Sequence, residues 1–205
     1  MQNALAQSAE LQSPFWLELY YVVTANHQIT LEGINRHEKG TLTDVAASLQ
    51  GEDPETARVI LGAHSTVYDD MRKAQRNLAL VGVVTRFQHW INRLARQVSP
   101  AAPSYLLEQL RMLNDKLGQG PVKVEFFREL VKVRNSIIHA DAAAEWEFKG
   151  KVRRVADRYV YSGDLNERRN TLEINLTDDD LSEAVVFSCK TVEWYDGKLN
   201  PNKIV

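Results

Sequence analysis

Apolar residues recur at helical spacing through most of this chain. Between 15 and 37 they include Phe15, Leu19, Val22 and Val23, which predicts a helix with Ser13 as N-cap and Pro14 at its first position, closed by Gly40. Thr43 can cap a short helix over 44–49. Asp53-Pro54 is the next start signal. Over 54–98 helical spacing persists through Val59, Ile60, Ala63, Val67, Met71, Leu78, Val81, Val84, Phe87, Ile91 and Leu94. This reads as one very long helix or as two joined near Gly82. Ser99 to Pro103 is a break, and Ser104 can cap a helix to about 117. Gly118-Gln119-Gly120-Pro121 is a second break, with Pro121 opening a helix to about 144.

The last third changes period. Residues 158–161 and 171–176 alternate and are rich in β-formers, and Ser162-Gly163-Asp164 supplies a turn. Two short antiparallel strands with a basic loop are expected. Thr177 then caps a last helix, with Leu176 and Leu181 as a hydrophobic staple and Asp178, Asp179 and Asp180 complementing the helix dipole. That helix carries Leu181, Ala184, Val185, Cys189 and Val192 and ends by Gly197. The expected fold class is mainly α: a flexible polar tail over 1–12, then one helical-bundle domain over 13–205. A short antiparallel β-hairpin with a basic loop, about 151–176, is inserted before the last helix.

Composition narrows the function classes. Hydrophobic residues make up 44% and charged residues 25%, so global disorder is excluded. The net charge is −2, from 27 acidic and 25 basic residues, so any nucleic-acid contact has to come from a local patch. The single cysteine, Cys189, excludes an intramolecular disulfide and argues against a cysteine-based zinc site. It is expected in the core. No signal peptide or membrane span is expected, and a cytoplasmic location fits. His27, His37, His64 and His89 show no metal-ligand spacing, and neither a phosphate-cradling glycine loop nor a Gly-x-Ser-x-Gly elbow is present, so no cofactor and no metal are expected.

One helix carries chemistry. At about 100° per residue, Phe126, Leu130, Val133 and Ile137 form a core stripe, while Arg128, Lys132, Asn135 and His139 fall on the opposite side. The remaining arc holds Val124, Phe127, Val131 and Ile138, and also Arg134. The helical neighbours of Arg134 are Val131, Ile137, Leu130 and Ile138, none of which can pair with it. A buried unpaired charge costs several kcal/mol, so Arg134 needs an anion from off its own helix. A carboxylate elsewhere in the chain, a subunit partner and a bound phosphate all qualify, and so does a snorkelling position at a helix seam. His139 stands about 140° from Arg134, whereas Asn135 and His139 share a face, where the amide can fix the imidazole tautomer.

Arg134-Asn135-Ser136-Ile137-Ile138-His139 resembles the Arg-polar-x3-His motif of the HEPN superfamily, the higher eukaryotes and prokaryotes nucleotide-binding domains. The match covers about twenty residues closely, and the all-helical surroundings over 54–195 are similar in outline. The resemblance implies a HEPN-like helical bundle acting as a metal-independent endoribonuclease. It implies a homodimer through the motif helix, with RNA as substrate. Arg134, His139 and Asn135 would be catalytic. Two copies of His139 would share the proton transfers, Arg134 would stabilise the phosphorane, and the products would be a 2′,3′-cyclic phosphate and a 5′-hydroxyl. It further implies a toxin or phage-defence role with an antitoxin or regulatory protein as partner. Asp141 stands where HEPN toxins of one class carry a modifiable tyrosine, which puts that mode of neutralisation in doubt. The second reading is a non-catalytic HEPN-like dimerisation module that binds a partner protein or a nucleotide. It expects Arg134 to be held by a carboxylate.

Two basic clusters complete the inventory. Lys151, Arg153, Arg154, Arg158, Arg168 and Arg169, interleaved with Tyr159 and Tyr161, read as a solvated hairpin face or as a grip on single-stranded RNA. With Lys132 and Arg128 on the motif helix, Arg153, Arg154 and Arg158 are the candidate RNA contacts. Arg72, Lys73, Arg76, Arg86, Arg93 and Arg96 read as a solvated helix face.

Overall fold

The computed structural model describes residues 14–139 and 176–201, and within them every regular element is helical. Helix α1, Pro14–Leu17, begins on proline and runs without a break into a π-helical stretch, Glu18–Ala25, and then into α2, Asn26–Ser48. The stop expected at Gly40 is absent. An interior glycine costs about 1 kcal/mol, and packing of α2 along the next helix outweighs it. Thr43 is not a cap either, because its Oγ1 donates back to the Lys39 carbonyl at 2.8 Å. The run ends at Leu49, and Gly51, at φ +95°, supplies the left-handed turn.

Helix α3, Pro54–Val98, is a single helix of 45 residues, so the one-helix reading holds. The Asp53 carboxylate accepts the Thr56 N–H at 3.0 Å, and Pro54 follows inside. A Cβ added at Gly82 would meet the Val23 side chain at 3.6 Å, an ordinary contact, and the helix runs through this position. Helix α4, Leu106–Leu117, has Tyr105 as N-cap, where Ser104 was expected, and no side-chain cap. Buried Gln109 instead ties the helix to its surroundings, donating to the Pro103 carbonyl at 2.7 Å and to Asn92 Oδ1 at 2.9 Å. Helix α5, Val124–His139, begins three residues beyond Pro121, and its expected extension to 144 lies outside the described residues.

Helix α6, Asp178–Leu199, opens with a capping box: Thr177 Oγ1 accepts the Asp180 N–H, and the Asp180 carboxylate accepts the Thr177 N–H. Leu176 and Leu181 are both buried, as a staple requires. The helix passes through Gly197 and ends two residues later than expected. Thr177→Ala is expected to lower stability by about 1 kcal/mol, read as a drop in the thermal midpoint. The polar tail and the β-hairpin fall outside the described residues, save that Leu176, assigned to the second strand, is not in a strand.

The core joins α1 and the π-helical stretch, the half of α3 from Ala79 onward, and α4, α5 and α6. The first half of α3 stands apart and pairs with α2. Tyr68 Oη donates to Thr41 Oγ1 at 2.8 Å and meets His37 Nδ1 at 2.8 Å, and Arg72 grips Glu38 at 2.6 Å. No helix among the described residues is long and apolar enough to cross a membrane.

Candidate functional site

Helix α5 is held by its aromatic start. Phe127 is buried and stacks on Phe87 of α3 with ring centroids 4.5 Å apart, and Phe126 meets Phe187 of α6 edge-on at 4.9 Å. The loop before it is tied to α6. Tyr195 Oη donates to Asn114 Oδ1 at 2.6 Å, and the same oxygen accepts the Gly120 N–H at 2.9 Å. Burial pushes the Tyr195 phenol up to about 12, so it stays a donor across the physiological range. Gly120 suits this knot, since a Cβ there would stand 3.1 Å from Tyr195 Oη.

The packed face of α5 is Val124, Phe127, Leu130 and Val133, with Ser136 buried at its edge. This corrects the core stripe read from the sequence: Phe126 and Ile137 are only half-buried, and Val124 and Phe127 replace them. The centre of burial is thereby rotated toward the arc that carries Arg134. By register, Arg134 stands between Leu130 and Phe127 around the helix.

Arg134 is half-buried and its Nε is fully buried with no hydrogen-bond partner. Among the described residues no carboxylate forms an ion pair with it. On the same helix, Glu129 Oε2 is also buried without a partner. The two groups stand about 140° apart around the axis and cannot satisfy each other. The other Glu129 oxygen already holds Lys132 Nζ at 2.9 Å.

The remaining candidates divide. Arg128 pairs with Glu125 at 3.5 Å and Lys132 with Glu129, both along the solvent side of α5, so their charges are partly neutralised within the helix. Asn135 is half-buried on that side. His139 is the last residue of α5, in register with Asn135, and its side chain lies outside the described residues. Arg153, Arg154 and Arg158 lie outside them as well. Among the described residues no three His, Cys, Asp or Glu side chains stand together as a metal site. Cys189 is buried as expected, and burial, with Glu193 nearby, pushes its thiol up and keeps it unreactive.

The basic cluster on the long helix is more than a solvated face. Arg72 holds Glu38 and Asp69, Arg76 holds Asp178 at 2.9 Å, and Arg86 holds Glu18 at 2.7 Å. Three arginines of α3 thus fasten α2, α6 and the π-helical stretch. The Asp178 knot also takes in His27, buried at the start of α2, whose Nε2 stands 3.5 Å from Asp178 Oδ1. No sequence spacing signals a pair this far apart. Burial raises the Asp178 carboxyl, but Arg76 and His27 together hold it below the ordinary aspartate value. A depressed carboxyl contributes stability that is full above its unfolded pKa, about 3.9, and is lost as pH falls through the folded value. The Asp178→Asn protein is therefore expected to lose less stability than wild type between pH 5 and 2, measured by urea denaturation at each pH.

No protein-family model, no curated protein and no solved structure matches this chain.

Proposed function

We propose that this chain is a HEPN-type endoribonuclease that cuts RNA without a metal and works as a homodimer through its motif helix. The observation that carries the reading is Arg134. It sits on the packed side of α5 with its Nε buried and unpartnered, and without a carboxylate among the described residues. A guanidinium left in that condition has a free planar donor set suited to a phosphate. The non-catalytic alternative expects this arginine to be neutralised by a carboxylate.

In this reading one imidazole at 139 removes the proton of the RNA 2′-hydroxyl. The 2′-oxygen attacks phosphorus, and the second imidazole delivers a proton to the departing 5′-oxygen. Arg134 meets the charge that builds on the phosphorane. Asn135, one helical turn from His139, sets the imidazole tautomer. The test is cleavage of total RNA and a panel of tRNAs by the purified full chain in EDTA, with analysis of the new ends. Cyclic phosphate and 5′-hydroxyl ends are expected. Intact RNA across the whole panel overturns the assignment in favour of the binding-module reading.

A further inference from the structure

Helix α3 carries two apolar stripes, and among the described residues one is buried while the other is open at its centre. The buried stripe contains Tyr68, Ala79, Leu80, Val83, Val84 and Phe87. The other steps along Ile60, His64, Val67, Met71, Ala74, Leu78, Val81 and Thr85, alternating four and three residues. Its central members are open: Val67 is 56% exposed, Met71 45% and Leu78 65%, while Ile60, His64 and Val81 are half-buried. Isolated exposed apolar residues are ordinary, but a stripe that keeps a four-three alternation over about seven turns is the signature of one helix seated along another. At 45 residues, α3 also exceeds the length usual for a helix buried in a single small domain.

The arm that bears the stripe lacks a core of its own. The central cluster takes no residue of α3 before Ala79 and none of α2. Within the arm, Ile34 and Tyr68 are the buried apolar side chains among the described residues. Helices in water owe most of their stability to packing of an apolar face, and among the described residues the centre of this stripe, at Val67, Met71 and Leu78, is left exposed.

We propose that the stripe is the seat of a second copy of this chain, with the two α3 helices antiparallel about a two-fold axis at the point between Arg72 and Lys73. The alternation reads the same in both directions about that point. Met71 then falls opposite Ala74 of the second copy, Val67 opposite Leu78, His64 opposite Val81 and Ile60 opposite Thr85. Large meets small at the centre, as interdigitating layers require. No Lys, Arg, Asp or Glu stands on the stripe. At its edges Asp70 and Gln75 flank the centre, while Tyr68 and Asn77 are already buried within the chain. Arg72, next to the axis, is turned away and held by Glu38 and Asp69. A two-fold contact needs a self-complementary surface, and this stripe is one. It is a different face from α5, and the inference does not rest on the nuclease reading.

The oligomeric mass of the full chain, by sedimentation at tens of micromolar, tests the proposal beside Leu78→Glu and Val67→Glu. Both positions are exposed, so the variants are expected to fold, with circular dichroism as the check. The mass is expected to halve in each variant. Orientation follows from cysteine pairing, which buried Cys189 leaves undisturbed. A mixture of Val67→Cys and Leu78→Cys chains is expected to cross-link on oxidation, and Val67→Cys alone is not, since its two copies would stand about 16 Å apart. A monomeric wild type, or variants that fold with unchanged mass, would overturn the interface. Cross-linking by Val67→Cys alone would overturn the antiparallel arrangement.

Discussion

Purified His139→Ala protein is expected to leave RNA uncut where the wild type cuts it, with helical content unchanged. The residue is the last of α5, so the substitution shortens no helix from within and is expected to remove proton transfer. A positioned acid–base group contributes about 10²- to 10⁴-fold, and both roles vanish together when the two copies share one sequence position. Arg134→Met separates chemistry from folding. Leaving a buried donor without a partner costs about 1–3 kcal/mol, and the Nε of Arg134 is such a donor. A thioether of similar length removes that cost. The Met variant is therefore expected to melt higher than wild type while losing cleavage about a hundredfold or more, because the phosphorane charge is left unmet. A variant that loses stability and keeps cleavage would make Arg134 a structural residue and take away the main support for the nuclease reading.

The elements legible in the sequence are those whose signals are local. Asp53-Pro54, Thr177 with its acidic first turn, and the Gly118 break all fall where helices start or stop. Gly40 and Gly197 misled because a glycine ends a helix only when the chain beyond it has somewhere else to go. In both places the next turn is packed or helix-forming, and the helix continues. The long helix shows a subtler limit. Periodicity finds Val59, Val67, Met71, Leu78, Val84 and Phe87 as one apolar set, but it does not say which are covered, since that depends on where α2, α5 and α6 lie. The candidate site was legible in one respect: an arginine on an apolar arc without a helical partner is visible in the order of residues alone, and the structure keeps Arg134 there. The Arg76, Asp178 and His27 knot was not, because its members are brought together only by the packing of α2 and α6 on α3.

Phe127→Ala is expected to be the most damaging single change to the fold, lowering stability by about 3–5 kcal/mol in urea denaturation. Phe127 is 1% exposed and stacks on Phe87, itself 1% exposed, with the ring planes 22° apart. Removing the ring deletes its burial and leaves a cavity between α3 and α5, where Leu130 and Val133 continue the same contact. Phe126→Ala, a residue earlier and half-buried against Phe187, is expected to cost clearly less. The difference has a functional consequence. The Phe127 anchor fixes the rotation of α5, and that rotation puts Arg134 on the packed side and Asn135 toward solvent. The milder Phe127→Leu protein is expected to fold, to melt lower, and to lose cleavage in greater proportion than its folded fraction explains. If Phe127→Ala lies within about 1 kcal/mol of wild type, α5 is not held by this stack, and the rotation that places Arg134 must be set elsewhere.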